Sequence, residues 1–401
     1  MNEVSSRTSS TISAPGLPPA LAADRDLRLD LFRGLALWAI FLDHIPSNAV
    51  SFITMKNFGF SDAAEIFVFI SGYTAAFVYG RTLHQRGYVV ASARIVKRAW
   101  QVYVAHIFLF VIFMAQVAYV TANFQNPLYT EEMGAFDFMQ QPGETLIQAL
   151  LLKFKPTYMD ILPMYVLLML GLAAVIWLID RFPNATLAAS FGLYFLTWLF
   201  QWNLPSYPSG YWFFNPLAWQ LLFVTAAWCA IGDRAKLDWI LRSNFVLAAA
   251  TFFLALSFAI AMTWYLPVLA PYMPKRLAEW IYPIDKTNLD ILRYLHLLAV
   301  ALVTVRIIPR TWPGLESRWL QPPVLCGQHS LEIFCLGVFL SFTGHFILVE
   351  VSARFWMHII VSFIGICIMV ALAWLMRWYR RAEGKRPGPR PPAPGLAGGE
   401  V

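Results

Sequence analysis

A chain of 401 residues that is 59% hydrophobic, 16% aromatic and only 13% charged is not a soluble globular protein, in which about a quarter of the residues carry charge. Its formal net charge of +7 does not imply a nucleic-acid partner, because no basic tract interleaved with aromatics lies outside the loops that flank apolar segments. The composition reads as an all-α, polytopic membrane protein, with aromatic residues suited to belts at the two interfaces.

Residues 1–24 are rich in Ser, Thr, Ala and Pro and lack the basic and apolar regions of a signal peptide. They read as a disordered cytosolic tail. Windows of about twenty apolar residues then mark about ten transmembrane helices. The spans are 29–46, 63–80, 97–120, 161–180, 186–202, 214–232, 245–268, 289–308, 330–350 and 355–377. Together they make a transmembrane domain over 25–379, followed by a disordered, basic and Pro-rich cytosolic tail over 380–401. Cys229, Cys326, Cys335 and Cys367 lie in or beside apolar segments without a Cys-x-x-Cys pair, so inert buried thiols are expected and no metal site.

Lys and Arg crowd alternate loops. One set holds Arg25 and Arg28, the five cations between Arg81 and Arg98, Arg234, Lys236 and Arg242, Arg306 to Arg318, and Arg377 onwards. The other set holds few, among them Lys56, Lys153, Lys155 and Lys286. The positive-inside rule makes the first set cytoplasmic and leaves both termini inside.

The first span is organised by two polar residues. Arg33 and His44 are eleven residues apart. At about 100° per residue they return to nearly the same helix face, separated by roughly 16 Å. Arg33 alone is a candidate for snorkelling to headgroups, and His44 for an ordinary interfacial position. Sharing one face, with Asp30 and Asp43 beside them, they read as an axis with a cation inside and a titratable ring outside. A His near its ordinary pKa of about 6.5 is a natural general base. Its orienting carboxylate is Asp43, Glu65 or Asp160.

The second span opens Ser61-Asp62-Ala-Ala-Glu65, with Ser61 as the expected N-cap. It continues to Ser71-Gly72, which suits close helix packing. Arg94, Lys97 and Arg98 fall at i, i+3 and i+4, on one face, where three cations can hold phosphates. No P-loop or Rossmann glycine pattern accompanies them. The outer stretch from Trp202 to Asn215 is uncharged and aromatic. It suits either an interfacial belt or the faces of sugar rings, with Trp212 and Asn215 as contacts. Arg293 and His296 share a face further on.

Arg33-x10-His44, Glu65-Ile-Phe-Val-Phe-Ile-Ser71-Gly72-Tyr73 and the basic start of the third span resemble the acyltransferase-3 superfamily. Arg28-Leu-Asp-Leu-Phe-Arg-Gly-Leu-Ala, Asp43-His44-Ile-Pro and Asp160-Ile-Leu-Pro resemble its OpgC branch in particular. The resemblance implies succinylation of osmoregulated periplasmic glucans at the bacterial inner membrane. Succinyl-CoA or another acyl-CoA would be co-substrate, with no permanently bound cofactor, and glucan-biosynthesis proteins would be partners. It implies His44, Asp43 and Glu65 as catalytic residues, with His44 a general base or an acyl acceptor. Arg33, Arg94, Lys97, Arg98 and Ser71 would bind acyl-CoA, and Asp160, Trp212, Asn215 and His296 the acceptor. The chain departs from the superfamily at Gly337, where a His is expected, and carries no fused SGNH hydrolase domain. Acetylation of another cell-surface polysaccharide is the nearest alternative. A proton-coupled transporter is a second, but it calls for inverted repeats that the sequence lacks.

Overall fold

The computed structural model describes residues 26–383 apart from 125, 127 and 267. The expected N-terminal tail, and the C-terminal tail beyond Glu383, lie outside the described residues. Each of the ten apolar segments is a helix: α1 (Leu27–His44), α2 (Ala63–Arg86), α3 (Tyr88–Phe124), α4 (Ile161–Arg181), α5 (Pro183–Phe200), α6 (Pro216–Ile231), α7 (Asn244–Tyr265), α8 (Ile291–Ile307), α9 (Ser330–Glu350) and α10 (Phe355–Glu383). Among the described residues there is no strand, only an isolated bridge between Pro205 and Tyr211. Six helices, α2, α3, α4, α7, α9 and α10, are long and apolar enough to cross a membrane. α1 carries too many charges, and α5, α6 and α8 are shorter or less apolar.

Local chemistry fixes the ends. Asp26 caps α1 by accepting from the Arg28 amide, and Pro46 follows its last turn. Asp62, not Ser61, caps α2, in a capping box whose other half is Glu65. α2 ends at Gly87, whose φ of 80° is open to glycine, and α3 starts on the next residue. The expected basic inner loop therefore shrinks to one glycine. α2 runs six residues beyond its expected end and α3 starts nine residues before its own. An apolar window stops at the first charges, whereas backbone hydrogen bonding continues through them.

α1 occupies the centre. It packs against α2, α9 and the short helix Gln321–Gln328. The last of these contacts is glycine on glycine. A Cβ on Gly34 would sit 1.8 Å from the Pro323 carbonyl oxygen, and one on Gly327 would sit 1.8 Å from that of Asp30. Small residues let two backbones touch in this way. By contrast α7 and α10 leave most of their apolar surface unburied within the protein, as a lipid-facing helix does.

Gly34→Ala is expected to cost at least about 2 kcal/mol through overpacking, read as a lower melting temperature of the detergent-purified protein. Gly192→Ala is the control, since nothing lies within 4 Å of its added Cβ, and it should melt like the wild type. Equal melting of Gly34→Ala and wild type would show that this crossing is looser than described.

Candidate functional site

Arg33 turns from α1 toward α2. Its guanidinium donates to the Ile70 carbonyl at 3.1 Å and to the Thr74 hydroxyl. The Thr74 hydroxyl in turn donates to the Ile70 carbonyl at 2.7 Å. Here the helices enclose a cavity of about 160 Å³ lined by Arg33, Ser71, Tyr79, Arg98, Tyr165 and Ser330 among others. Its lining follows α2 from Tyr79 to Phe67, a rise of roughly 18 Å. On α4 it ends at Leu162, four residues beyond Tyr158. The cavity is thus a shaft along α2, with the Arg33 guanidinium beside its Ile70–Thr74 stretch, Arg98 also in its wall, and Phe67 and Leu162 among its apolar lining.

The expected cationic clamp divides. Arg98 is half-buried and lines the cavity with Arg33, whereas Arg94 and Lys97 are exposed and do not. Arg94 reaches the Thr82 hydroxyl at 3.4 Å. Ser71 also lines the cavity.

At the other end of α1 the half-buried His44 ring stacks on Tyr158, with centroids 4.5 Å apart and planes inclined by 25°. Tyr158 has a φ of 69°, uncommon for a residue other than glycine, Asn or Asp. Its loop is tied down next door, where the Thr157 amide donates to the Met133 carbonyl at 3.0 Å. His44 Nδ1 is buried and has no hydrogen-bond partner among the described residues.

None of the three carboxylates expected beside His44 bonds to it. Asp43 accepts from the Thr54 hydroxyl at 2.8 Å and pairs with Lys56 at 3.0 Å. Glu65 is fully buried, accepts from the Asp62 amide at 2.9 Å and pairs with Arg293 at 2.6 Å. Asp62 is shared by Lys286 at 2.6 Å and Arg293 at 3.0 Å. Asp160 begins α4 without capping it. Burial pushes the Asp160 carboxyl up to about 6, with nearby Lys155 opposing the shift. Burial also takes Lys155 down to about 8, against the pull of Asp160.

The residues expected at the acceptor also separate. Trp212 is buried, with the Lys155 ammonium 4.2 Å above its ring. Asn215 is fully buried and caps α6, while its amide donates to the Trp202 carbonyl at 2.6 Å and to Asn288 Oδ1 at 2.8 Å. His296 is buried between Phe60 and Phe253 and shares a 2.7 Å hydrogen bond with Ser61. Asn215 and His296 therefore hold the frame. Asp160 alone shares the Tyr158 loop.

Sequence reasoning missed the Tyr158 stack, the Thr74 contact and the Asp62–Lys286 pair. Tyr158 stands two residues before the Asp160-Ile-Leu-Pro stretch quoted from the sequence. Lys286 stands four residues before Asp290, in a loop read only for its few cations.

A family model described as OpgC protein matches residues 25–381. No curated protein and no solved structure matches the chain.

A thiol placed in the shaft by Ser71→Cys is expected to react several-fold faster with an anionic than with a cationic methanethiosulfonate, since Arg33 and Arg98 line the same space. Adding Arg98→Gln should reduce that preference. Equal rates for the two reagents in the single variant would remove the cationic character assigned to this end.

Proposed function

The chain belongs to the OpgC protein family, and from that premise, which points to a membrane acyltransferase, we propose that it is a transmembrane O-acyltransferase. It moves a succinyl or similar acyl group from cytosolic acyl-CoA to hydroxyls of periplasmic glucans. All ten helices cross the bacterial inner membrane, with both termini in the cytosol, as the Lys and Arg distribution favours. Arg33 and Arg98 then open toward the cytosol, and His44 faces the periplasm.

The observation that carries this reading is the shaft. Its lining includes Arg33, Arg98 and Tyr79 as well as Phe67 and Leu162, and Leu162 stands four residues after Tyr158, whose ring stacks on His44. CoA phosphates are too polar to enter lipid, so they stay with Arg98 and Arg33, with Arg94 and Lys97 at the exposed lip. The narrow pantetheine arm lies along the shaft past Ser71 and Thr74, and brings its thioester toward His44.

There His44 takes the proton from an acceptor hydroxyl as the oxygen attacks the thioester carbonyl. The tetrahedral intermediate collapses with cleavage of the carbon–sulfur bond. The imidazolium returns the proton to the departing thiolate, leaving a glucan ester and free CoA. Stacking on Tyr158 holds the ring in place of a carboxylate partner. Asp43 and Glu65 act through the charged frame, and Asp160, on the Tyr158 loop, is the acceptor-side carboxylate.

In cells lacking other glucan acyltransferases, mass spectrometry of periplasmic glucans should show acyl groups with the wild type. His44→Ala, present in the membrane at equal amount, should show at least about a hundredfold less decoration. Arg98→Gln should raise the KM for acyl-CoA about tenfold or more with a smaller change in kcat, the signature of lost binding. Unchanged decoration by His44→Ala would overturn the assignment.

A further inference from the structure

Tyr158 holds a φ of 69° while its ring lies against His44. A tyrosine does not take up that backbone region unaided, so contacts outside its own turn have to enforce it. Those contacts lead to a histidine on α9.

After α3 the chain forms a short helix, Leu128–Glu132, followed by Met133 and Gly134. Glu132 Oε2 and His345 Nε2 of α9 stand 2.7 Å apart. The His345 side chain is 7% exposed and that of Glu132 49%, so the pair ties a buried ring to a carboxylate at the protein surface. Tyr129 fixes the same short helix to α9 a second time. Its ring meets that of His345 edge-on at 6.0 Å, and its hydroxyl donates to Glu350 at 2.6 Å.

Next to Glu132, the carbonyl of the buried Met133 accepts from the Thr157 amide at 3.0 Å. Gly134 permits this approach. Its φ is 62°, and a Cβ there would stand 3.2 Å from Thr157 Oγ1 and 3.3 Å from the Thr157 amide nitrogen. Thr157 in turn precedes Tyr158. α9 also meets the end of α1 directly. A Cβ on Gly344, beside His345, would stand 3.3 Å from Ile45 Cδ1, and Ile45 follows His44. The contacts close a ring from α9 through Glu132, Met133, Thr157 and Tyr158 to His44, and back through Ile45.

We propose that Glu132 and His345 are positioning residues for His44. Their pair seats the bond between Met133 and Thr157, and that bond fixes the Tyr158 ring on the imidazole. The consequence for acyl transfer rests on the acyltransferase reading, because a general base displaced from its hydroxyl loses rate. The effect on the His44 ring does not.

The test therefore reads the ring itself. The purified full-length protein is treated with diethyl pyrocarbonate in the absence of substrate. Modification of His44 is followed by mass spectrometry, together with that of His84, which pairs with Asp180 at the other end of α2. Glu132→Ala should speed His44 modification at least about fivefold, as one lost hydrogen bond does, with His84 unchanged. Tyr158→Ala should speed it as much or more. Adding Glu132→Ala to Tyr158→Ala should bring no further increase, since both act through the same contact. Glu132→Gln keeps an oxygen for His345 and should keep the wild-type rate. Gly134→Ala strains the Thr157 approach without touching the pair, so it should also speed His44, and it decides the matter if Glu132→Ala does not accumulate. In turnover, Glu132→Ala should lower kcat at least about fivefold with the KM for acyl-CoA within about twofold. A wild-type His44 rate in Glu132→Ala or Gly134→Ala would overturn the proposal. So would equal acceleration of His84, or a double variant faster than Tyr158→Ala alone. A wild type that transfers no acyl group would contradict the acyltransferase reading and leave the labelling result standing.

Discussion

The guanidinium of Arg33 is the constraint around which the helices are arranged. On insertion scales an arginine at the centre of a membrane helix costs on the order of 3 kcal/mol, so a helix that carries one needs protein on that face. α1 is accordingly the central element. Its guanidinium bonds to a carbonyl and a hydroxyl of α2. On another side the Gly34–Gly327 contact brings in the short helix before α9. The same need for polar partners that centres α1 lines the adjacent cavity with hydroxyls and a second arginine.

The outer end repeats the principle with ion pairs. Asp43 with Lys56, and Asp62 and Glu65 with Lys286 and Arg293, balance charge locally and join α1, α2, α8 and the loop before α8. Breaking one partner of such a buried pair leaves an uncompensated charge, which is far more costly than the pair is stabilising. The cluster is therefore a rigid frame beside His44 before it is anything else. It explains why neither Asp43 nor Glu65 is available to orient the imidazole. Tyr158 takes that place by stacking, from a backbone conformation that its loop has to enforce.

The helices were legible in the sequence, and so was the placing of Arg33 and His44 on a single helix, because apolar length and helical periodicity are local properties. What lay beyond reach depended on contacts between distant segments. Arg94, Lys97 and Arg98 share a face by spacing, but which of them meets Arg33 depends on how α3 is rotated against α2. Arg293 and His296 share a face of α8, yet one reaches the Asp62–Glu65 cluster and the other Ser61. Asn215 suits a sugar by chemistry, but an amide before a proline at a helix start is equally a cap, and the fold uses it so. The stacking of Tyr158 on His44 joins positions more than a hundred residues apart, and no periodicity encodes it.

In the proposed transfer one helix relays an acyl group from a cationic site on one side of the membrane to a histidine on the other. Sealed proteoliposomes with protein in a known orientation put this relay to the test. Acyl-CoA labelled in its acyl group is supplied only on the Arg33 side, and glucan is confined to the His44 side. Labelled glucan should form, with free CoA recovered on the side where acyl-CoA was added. Label appearing in glucan only when both substrates share one side would contradict the account.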